Sequence, residues 1–368
     1  MDRRQFLHAG ALLSVALASG RTLAAPGDIV LGQSVPLSGP AKDLGIEMRD
    51  GAQLWFKAFN AKGGIGGRNI RLETLDDGYE PERAKANTET FVKNRVSALF
   101  GYVGTPTSIA AKPVFEQASL PFVAPFTGAE ALRNPVHPLI FNIRASYFEE
   151  TEHLIEHFWS LNQRKVAVFH QNYAYGQAGL NGVLRALASR GAKVVATGTV
   201  ERNSANVEAA LKAILPAGPD VIVIVSTYGS AAAFIRQARA QGSPASFANI
   251  SFVGPTSLAN ALGKDKSGVM VSQVVPLKGL GVHNEFARML PAGTAVTPVT
   301  PVALEGFIAA KVMADALKRA NGPEGLLAAL NNTNFDVGGY RVKFSSGNHA
   351  GSKYVDLSML RPDGSWSV

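Results

Sequence analysis

The sequence predicts an α/β fold in which two similar series of βαβ units form two lobes. Three observations predict it. A chain of 368 residues is too long for one ordinary hydrophobic core and suits two domains. Its 46% hydrophobic and 17% charged residues are typical of a well-packed globular protein. Short β-branched segments alternate with helical segments of about ten to sixteen residues, which is the rhythm of parallel βαβ units.

The N-terminus is predicted to be a signal peptide, residues 1–24, and not part of the fold. Arg3 and Arg4 precede an apolar run at residues 9–18, and small residues at 22–24 offer a cleavage site before Ala25. The arginine pair followed by Gln-Phe-Leu fits a twin-arginine signal, and a general secretory signal is the alternative. Either type predicts an exported, periplasmic mature protein. No later segment approaches 18 uninterrupted apolar residues, so no membrane span is expected in the mature chain.

The first series of elements follows directly. Met48, Ala52, Trp55 and Phe59 recur at helical spacing and predict one face of a buried helix. A glycine-rich run at residues 63–67 ends that helix, because glycine tolerates positive φ. The predicted strands are residues 29–35, 70–75 and 98–101, and the predicted helices are residues 45–60 and 81–94.

A second series begins after a strand at residues 140–144. Its predicted helices are residues 148–161, 176–190, 207–215 and 230–241, and its predicted strands are residues 165–170, 193–200, 221–225, 250–253 and 269–275. Three more helices follow at residues 283–290, 301–319 and 323–330, with strands at 340–344 and 354–360. These late elements need a sheet to pack on, so the chain is expected to return to the first lobe and then cross back.

Residues 99–133 predict a cradle for a small anion. Thr105, Thr107 and Ser108 fall where a helix begins, so their hydroxyls and the free N–H groups of the first turn can bind an anion. Thr127 and Gly128 follow a second strand, and ligands of open parallel sheets sit at strand ends. The alternative is that these hydroxyls only cap the helix.

Several classes of function are disfavoured by composition and motif. The chain has no cysteine, which excludes disulfides, thiolate metal sites and cysteine nucleophiles. Its net charge of +8 comes from scattered basic residues, so nucleic-acid binding is not expected. Asp76 and Asp77 are interpreted as a polar strand end and not as a metal site. The glycine run at 63–67 lacks nucleotide-binding spacing, and no hydrolase or zinc motif occurs. We therefore expect no cofactor, no metal and no enzymatic activity.

Seven segments, taken in order, resemble the leucine/isoleucine/valine-binding type of periplasmic solute receptor. They are VPLSGP at 35–40, NAKGGIGGR at 60–68, DDGYEP at 76–81, the stretch 101–128, YAYG at 173–176, RQAR at 236–239 and GP at 254–255. The resemblance covers essentially the whole mature chain. It implies a type I periplasmic binding fold, with two Rossmann-like lobes joined by a three-crossover hinge and a ligand cleft between them.

The resemblance also implies lobe boundaries and a function. Crossovers would fall near Ser146, Pro276 and Tyr354, giving an N-terminal lobe of residues 25–146 plus 277–354 and a C-terminal lobe of 147–276 plus 355–368. The protein would capture a small hydrophobic amino acid of the branched-chain type, or a related carboxylate, by lobe closure. It would then deliver that ligand to the permease subunits of an ABC importer. A ligand sensor or an enzyme on the same lobes are the alternatives.

By the same resemblance, Thr105 and the turn Phe126 to Gly128 would hold the ligand carboxylate. Leu44, Tyr175 and Thr227 would line the rest of the cleft. Tyr228 lies beside them, and Tyr102 and Tyr173 could add aromatic walls.

Thr256 departs from the family pattern. Relatives that bind α-amino acids can place a glutamate there, directly after the glycine-proline pair, to bind the ligand ammonium. A buried ammonium without a carboxylate partner costs several kcal/mol. Either another acid serves, or the ligand lacks an ammonium group, which keeps aromatic acids and amides among the candidates.

Overall fold

Parallel pairing along the chain produces two main sheets. The computed structural model describes residues 27–290, 299–331 and 333–367. The predicted signal peptide therefore lies outside the described residues. Among the helices that are described, none is both long and apolar enough to cross a bilayer. The first sheet is wholly parallel and has the strand order β2-β1-β3-β4-β5. Its strands are β1 (Ile29–Val35), β2 (Ile70–Asp76), β3 (Ala98–Phe100), β4 (Phe122–Val123) and β5 (Ile140–Phe141).

Three helices connect these strands. They are α1 (Lys42–Asn60), α2 (Pro81–Lys93) and α3 (Thr105–Gln117). Since each crossover in a parallel sheet carries a helix, both faces of the sheet are covered, as the near-complete burial of β1 and β3 shows.

The second sheet has seven strands in the order β14-β13-β10-β9-β8-β6-β7, where β13 is Asp356–Leu360 and β14 is Trp366–Ser367. Its parallel strands are β6 (Val166–Gln171), β7 (Ala196–Val200), β8 (Val221–Val225), β9 (Ser246–Asn249) and β10 (Val269–Gln273). The helices between and before them are α4 (Tyr147–Ser160), α5 (Ala174–Ala188), α6 (Glu208–Ile214), α7 (Tyr228–Ala240) and α8 (Pro255–Leu262). The predicted α/β architecture of two lobes is confirmed.

One predicted strand is wrong. Residues 250–253 are not a strand, because β9 ends at Asn249 and Ser251–Val253 form a turn of 3₁₀ helix. Gly254 ends that turn at φ +75° and begins α8. A short buried apolar run such as Ile-Ser-Phe-Val does not distinguish the two conformations by its pattern alone.

The last quarter of the chain returns to the first lobe. Its elements are α9 (Gly281–Met289), α10 (Pro301–Arg319), α11 (Leu326–Asn331) and the hairpin β11 (Asn334–Val337) and β12 (Tyr340–Lys343). Helices α1 and α10 pack so closely that a Cβ on Gly51 would lie 1.8 Å from the carbonyl oxygen of Ala303. A Cβ on Gly306 would likewise lie 2.2 Å from the carbonyl oxygen of Met48. Glycine at both positions therefore permits this contact.

The chain then crosses back, since β13 (Asp356–Leu360) pairs antiparallel with β10, and β14 (Trp366–Ser367) pairs with β13. The three connections between the lobes are hydrogen-bonded to their surroundings and to one another. Asn142 N–H donates to the His349 carbonyl at 2.9 Å, and Gly351 N–H donates to the Asn142 carbonyl at 2.7 Å. Tyr340 Oη donates to the Val274 carbonyl at 3.0 Å. On these contacts we propose the lobe boundaries given above, residues 25–146 with 277–354 and residues 147–276 with 355–368.

Candidate functional site

Two hydroxyls of the predicted cradle meet at the edge of the first sheet. Thr105 is the first residue of α3, and Thr127 follows β4. Their Oγ1 atoms are 2.6 Å apart and share a hydrogen bond, and Thr127 Oγ1 also donates to Tyr147 Oη at 3.3 Å. Thr105 and Thr127 are both buried. The hydroxyls therefore form a chain that runs from the first lobe to the first residue of α4.

An aromatic cluster encloses these hydroxyls between the lobes. Its members are Tyr79 and Phe126 from the first lobe and Tyr147, Tyr175 and Phe252 from the second, and none is more than 1% exposed. Phe252 lies at the centre, with ring centroids 4.5 Å from Tyr175, 5.2 Å from Phe126 and 6.1 Å from Tyr79. The rings of Tyr147 and Tyr175 are 5.6 Å apart. The lobes are thus closed on each other through aromatic contact.

Backbone conformation places two of these rings. Tyr79 has φ +64°, which is rare for a bulky residue and costs about 1–3 kcal/mol. Its ring covers Gly104, where a Cβ would lie 2.4 Å from Tyr79 Cε2. A Cβ on Gly128 would similarly lie 2.5 Å from Tyr147 Cδ1. Glycine at 104 and 128 is therefore required for the two tyrosines to reach the cluster.

Three buried hydroxyls at this site have no hydrogen-bond partner among the described residues. They are Tyr79 Oη, Ser108 Oγ and Tyr175 Oη. A buried polar group without a partner costs about 1–3 kcal/mol. Burial raises the pKa of Tyr79 and of Tyr175 well above the usual value, so both phenols keep their protons and can donate. The site therefore offers three donors to an acceptor, beside the start of a helix whose dipole favours negative charge.

Two buried arginines stand behind Phe126 and Thr127. Arg133 Nη2 donates to the carbonyls of Thr127 at 3.3 Å and of Arg144 at 3.0 Å. Burial lowers the pKa of Arg133 to about 10, which still leaves it charged at neutral pH. The guanidinium of Arg144 lies 4.7 Å from the centre of the Phe126 ring. Arg133 therefore adds positive charge behind this end of the cleft, whereas the charge of Arg144 is compensated by carboxylates.

Arg144 also joins the lobes through two glutamates. Its Nη2 is 3.3 Å from Glu150 on α4, and its Nη1 is 3.6 Å from Glu305 on α10. The second oxygen of Glu150 accepts from Ser251 N–H at 2.7 Å and from Ser272 Oγ at 2.6 Å. Elements of both lobes and the first crossover thereby meet at one buried ion cluster.

Glu305 makes folding stability depend on pH. Burial raises its pKa from 4.5 to about 7, although Arg144 opposes the shift. The folded protein therefore binds this proton more tightly than the unfolded chain. The resulting stability is complete below about pH 4.5 and is lost as the pH rises through 7.

Between pH 5 and pH 8 the free energy of unfolding of the wild type should fall as the pH rises. In Glu305→Gln we expect this fall to be smaller. Urea unfolding at each pH measures it. Only part is lost, because burial also raises the pKa values of Glu47 and Asp77 to about 7. The exposed Glu156→Gln on α4 is the matched control and should keep the wild-type profile. An unchanged profile for Glu305→Gln would mean that Glu305 is ionised throughout this range.

The other predicted site residues occupy different surroundings. Thr107 donates its hydroxyl to the carbonyls of Val103 at 2.5 Å and Gly104 at 3.0 Å, so that hydroxyl stabilises its own helix start. Leu44 is buried across the cleft from Gly254, where a Cβ would lie 2.4 Å from Leu44 Cδ2. It therefore contributes to contact between the lobes.

Thr227, Tyr228 and Thr256 lie along the second lobe. Thr227 precedes α7, and its carbonyl accepts from Ser230 Oγ at 3.1 Å. Tyr228, the first residue of α7, faces Asp43 of α1, and burial together with that carboxylate raises the pKa of Tyr228. Thr256 lines a separate groove of about 730 Å³, together with Lys266, His283 and Trp366 among others. The structure therefore does not place Thr256 among the aromatic cluster.

Tyr102 corrects one expectation. Its ring packs 5.0 Å from Phe122, and its hydroxyl shares a hydrogen bond of 2.9 Å with Thr88 on α2. Tyr102 therefore lies in the core of the first lobe between the sheet and its helices, and the prediction that it lines the cleft is wrong. Tyr173 is 49% exposed and stacks with Arg202 at 5.1 Å, which places it at the rim.

Tyr79, Tyr147 and Phe252 were missed as site residues by sequence reasoning. Tyr79 comes three residues after β2 ends, so the strand-end rule could have identified it. Tyr147 and Phe252 carry no comparable signal. The two aspartates beside Tyr79 stabilise backbone conformation through hydrogen bonds. Asp76 accepts from Leu37 N–H at 2.7 Å, and Asp77 accepts from Tyr79 N–H at 2.8 Å. The described residues contain no cluster of three potential metal ligands.

Comparison with known proteins gives a consistent result. A family model described as periplasmic binding protein matches residues 28–365. The chain is 31% identical to a possible leucine/isoleucine/valine-binding protein from Rhodopirellula baltica, with a TM-score of 0.88 over 94% of this chain and 97% of that one. It is 33% identical to a substrate-binding periplasmic protein from Ralstonia solanacearum, with a TM-score of 0.86 over 92% and 99% of the two chains. An amino acid binding protein from Pseudomonas aeruginosa is 26% identical over 80% of this chain and 78% of its own length.

More distant structures share the fold alone. A solute-binding protein from R. palustris in complex with benzoate is 20% identical, with a TM-score of 0.81 over 93% of this chain and 95% of that one. A fatty acid ABC transporter substrate-binding protein from Thermomonospora curvata is 21% identical, with a TM-score of 0.83 over 92% and 90%. Proteins of this fold thus serve ligands of differing chemistry.

Proposed function

The chain belongs to the periplasmic binding protein family, and we propose that it is the exported solute-binding component of an ABC importer, specific for a small hydrophobic carboxylate. The family and fold are those of substrate-binding proteins. One observation carries the proposal. Tyr79, Ser108 and Tyr175 present buried hydroxyls without partners, inside aromatic walls supplied by both lobes. A carboxylate would accept hydrogen bonds from these donors, and the aromatic rings would cover its hydrophobic part.

Lobe closure would then transmit binding to the importer. A ligand shifts the lobes toward the closed form by the difference between its affinities for the closed and open forms. Closure by hinge motion brings surfaces of the two lobes into a fixed relation, which the membrane permease would recognise. On this proposal the protein acts in the periplasm and transforms no substrate.

The buried acids beside the cluster favour a ligand without an ammonium group. Asp77 is engaged by Ser34 Oγ at 2.8 Å and by Tyr79 N–H, and Glu150 is engaged by Arg144, Ser251 and Ser272. Each carboxylate already accepts hydrogen bonds on both of its oxygens, so each is stabilised within the protein without a ligand ammonium group. The nearby Arg133, which forms no ion pair among the described residues, adds positive charge, which attracts a carboxylate and repels an ammonium.

A branched-chain amino acid is the second candidate, and Glu47 favours it. Glu47 lies on α1 one turn from Leu44, and its Oε2 atom is buried without a partner among the described residues. Burial raises its pKa to about 7, and hydrogen bonds from Thr300 and Ser257 oppose the shift. A ligand ammonium beside Glu47 would keep it ionised.

Matched ligands that differ only in the ammonium group test the choice. Leucine is compared with 4-methylpentanoate, and phenylalanine with 3-phenylpropanoate, by thermal shift and calorimetry, with benzoate and the corresponding amides included. We expect the acids without an ammonium group to bind. The thermal shift would detect that binding, because a ligand at a thousand times its Kd stabilises the folded protein by about 4 kcal/mol. If leucine binds and 4-methylpentanoate does not, the amino-acid candidate is correct and Glu47→Gln should abolish binding. If none of these compounds binds, the proposed ligand class is wrong.

A further inference from the structure

Residues at the rim of the cleft connect the lobes directly. Arg202 and Asn203 follow β7 in the second lobe and reach the loop between β2 and α2 in the first. Arg202 Nη2 lies 2.5 Å from Glu80 Oε2, and Asn203 Nδ2 donates to Glu80 Oε1 at 2.7 Å. Asn203 Nδ2 also lies 3.3 Å from the carbonyl oxygen of Gly78. Both oxygens of one carboxylate are therefore engaged across the cleft.

These contacts hold the backbone on either side of Tyr79. Gly78 and Glu80 are its two neighbours, and each accepts a hydrogen bond from the other lobe. Tyr79 itself has φ +64° and Asn203 has φ +59°. The positive φ is costly for Tyr79, whereas asparagine adopts it readily, so the contacts on either side of Tyr79 help to maintain its conformation.

Contacts within the second lobe orient the side chain of Arg202 toward Glu80. Its guanidinium stacks on Tyr173 of its own lobe at 5.1 Å from the ring centre. The side chain of Arg202 is 23% exposed and that of Glu80 is 40% exposed, so solvent weakens the attraction. Hydrogen bonding to both carboxylate oxygens and the stacked arginine still make the contact stronger than an isolated surface pair.

We propose that Glu80, Arg202 and Asn203 form a cross-lobe latch that populates the closed form before ligand binds and positions Tyr79 in the aromatic cluster. The positioning of Tyr79 rests on the proposed function, because there Tyr79 acts as a hydrogen-bond donor to the ligand. The effect of the latch on the closed form does not rest on it. Because its partners lie on different lobes, every latch contact breaks when the lobes separate. The latch therefore stabilises the closed form and not the open form. Such a difference in stabilisation is the condition for shifting the equilibrium between the two forms.

The first experiment needs no ligand. The chain contains no cysteine, so spin labels can be attached through Ala86→Cys on α2 and Ala209→Cys on α6, both exposed and in different lobes. Pulsed electron spin resonance on the ligand-free protein then gives the distribution of distances between the lobes. We expect a short-distance component in the wild type and a roughly threefold to tenfold smaller one in Arg202→Met, given about 1 kcal/mol for such a pair.

Three variants sharpen this experiment. The exchange of charges in Glu80→Arg with Arg202→Glu should restore part of the short-distance component, whereas either change alone should not. Arg190→Met removes an ion pair of 2.7 Å with Glu152 that lies within the second lobe, so it should leave the distribution unchanged. Identical distributions for the wild type and Arg202→Met, whether both open or both closed, overturn the latch.

The second experiment tests the positioning of Tyr79 with 4-methylpentanoate as the probe. Arg202→Met should weaken its binding in both backgrounds, because the closed form loses the latch, but the loss should be about threefold to tenfold larger in the wild-type background than in the Tyr79→Phe background. Arg202→Lys, which keeps the charge, should restore part of the loss. Effects that simply add in the two backgrounds overturn the positioning of Tyr79. If the probe fails to bind the wild type while the distances behave as expected, the ligand class is wrong and the latch stands.

Discussion

Replacing Glu150 with alanine is expected to lower the free energy of unfolding by about 3–5 kcal/mol, because it removes the carboxylate to which the buried Arg144 donates a hydrogen bond. Glu150 and Arg144 have fully buried side chains. Ser251 N–H and Ser272 Oγ also lose the acceptor that Glu150 provides at 2.7 and 2.6 Å. Urea unfolding followed by circular dichroism measures the change.

The control for this prediction is Glu152→Ala, two residues along the same helix. Glu152 pairs with Arg190 at 2.7 Å, but its side chain is 36% exposed, so the expected loss is below about 1 kcal/mol. Glu305 remains 3.6 Å from Arg144 in the Glu150 variant and could become its replacement partner. A loss near that of the control would show that Glu305 compensates, and that Glu150 does not determine the stability of the ion cluster.

Tyr79→Phe and Tyr175→Phe are expected to change stability and ligand affinity in opposite directions. Each removes a buried hydroxyl that lacks a partner among the described residues, so the ligand-free protein should become slightly more stable or stay unchanged. Each also removes a donor to the ligand carboxylate, so affinity for the acid that binds best should fall about tenfold to a hundredfold per hydroxyl. Thermal unfolding without ligand and calorimetry with ligand measure the two effects.

Tyr102→Phe is the matched control and should give the reverse pattern. Its hydroxyl is bonded to Thr88 inside the first lobe, so the variant should lose about 1 kcal/mol of stability and keep its affinity. Unchanged affinity in both Tyr79→Phe and Tyr175→Phe would exclude these hydroxyls from the binding site. Reduced affinity in Tyr102→Phe would mean that the aromatic core of the first lobe controls the cleft.

Much of the fold is predictable from local pattern because parallel βαβ units repeat in one chain. The fully apolar strand β8 was predicted at residues 221–225, and the structure has it at Val221–Val225. Local pattern locates the short strands β4 and β5 but overestimates the length of β5, which was predicted at residues 140–144 and is Ile140–Phe141 in the structure. It also does not separate the 3₁₀ turn Ser251–Val253 from a buried strand, since both are short and apolar.

Some residues of the candidate site are likewise predictable from sequence, and others are not. Thr105 and Thr127 were predicted from the ends of neighbouring elements, and the structure brings their hydroxyls within 2.6 Å. Tyr147 and Phe252 enter only through contact between the lobes, which no local pattern encodes. Tyr102 was misassigned because its position after β3 is shared with cleft residues, while its side chain points to the opposite face.

The return of α10 to α1 determines when the first lobe can be completed during synthesis. Trp55 meets Phe307 edge to face at 5.4 Å, and Gly51 meets Ala303, so partners in this packing are separated by about 250 residues of chain. A growing polypeptide that has produced only the first sheet must leave the apolar face of α1 uncovered until almost the whole protein has emerged. The first lobe is therefore completed only late in synthesis, and fragments cut near the middle should be insoluble.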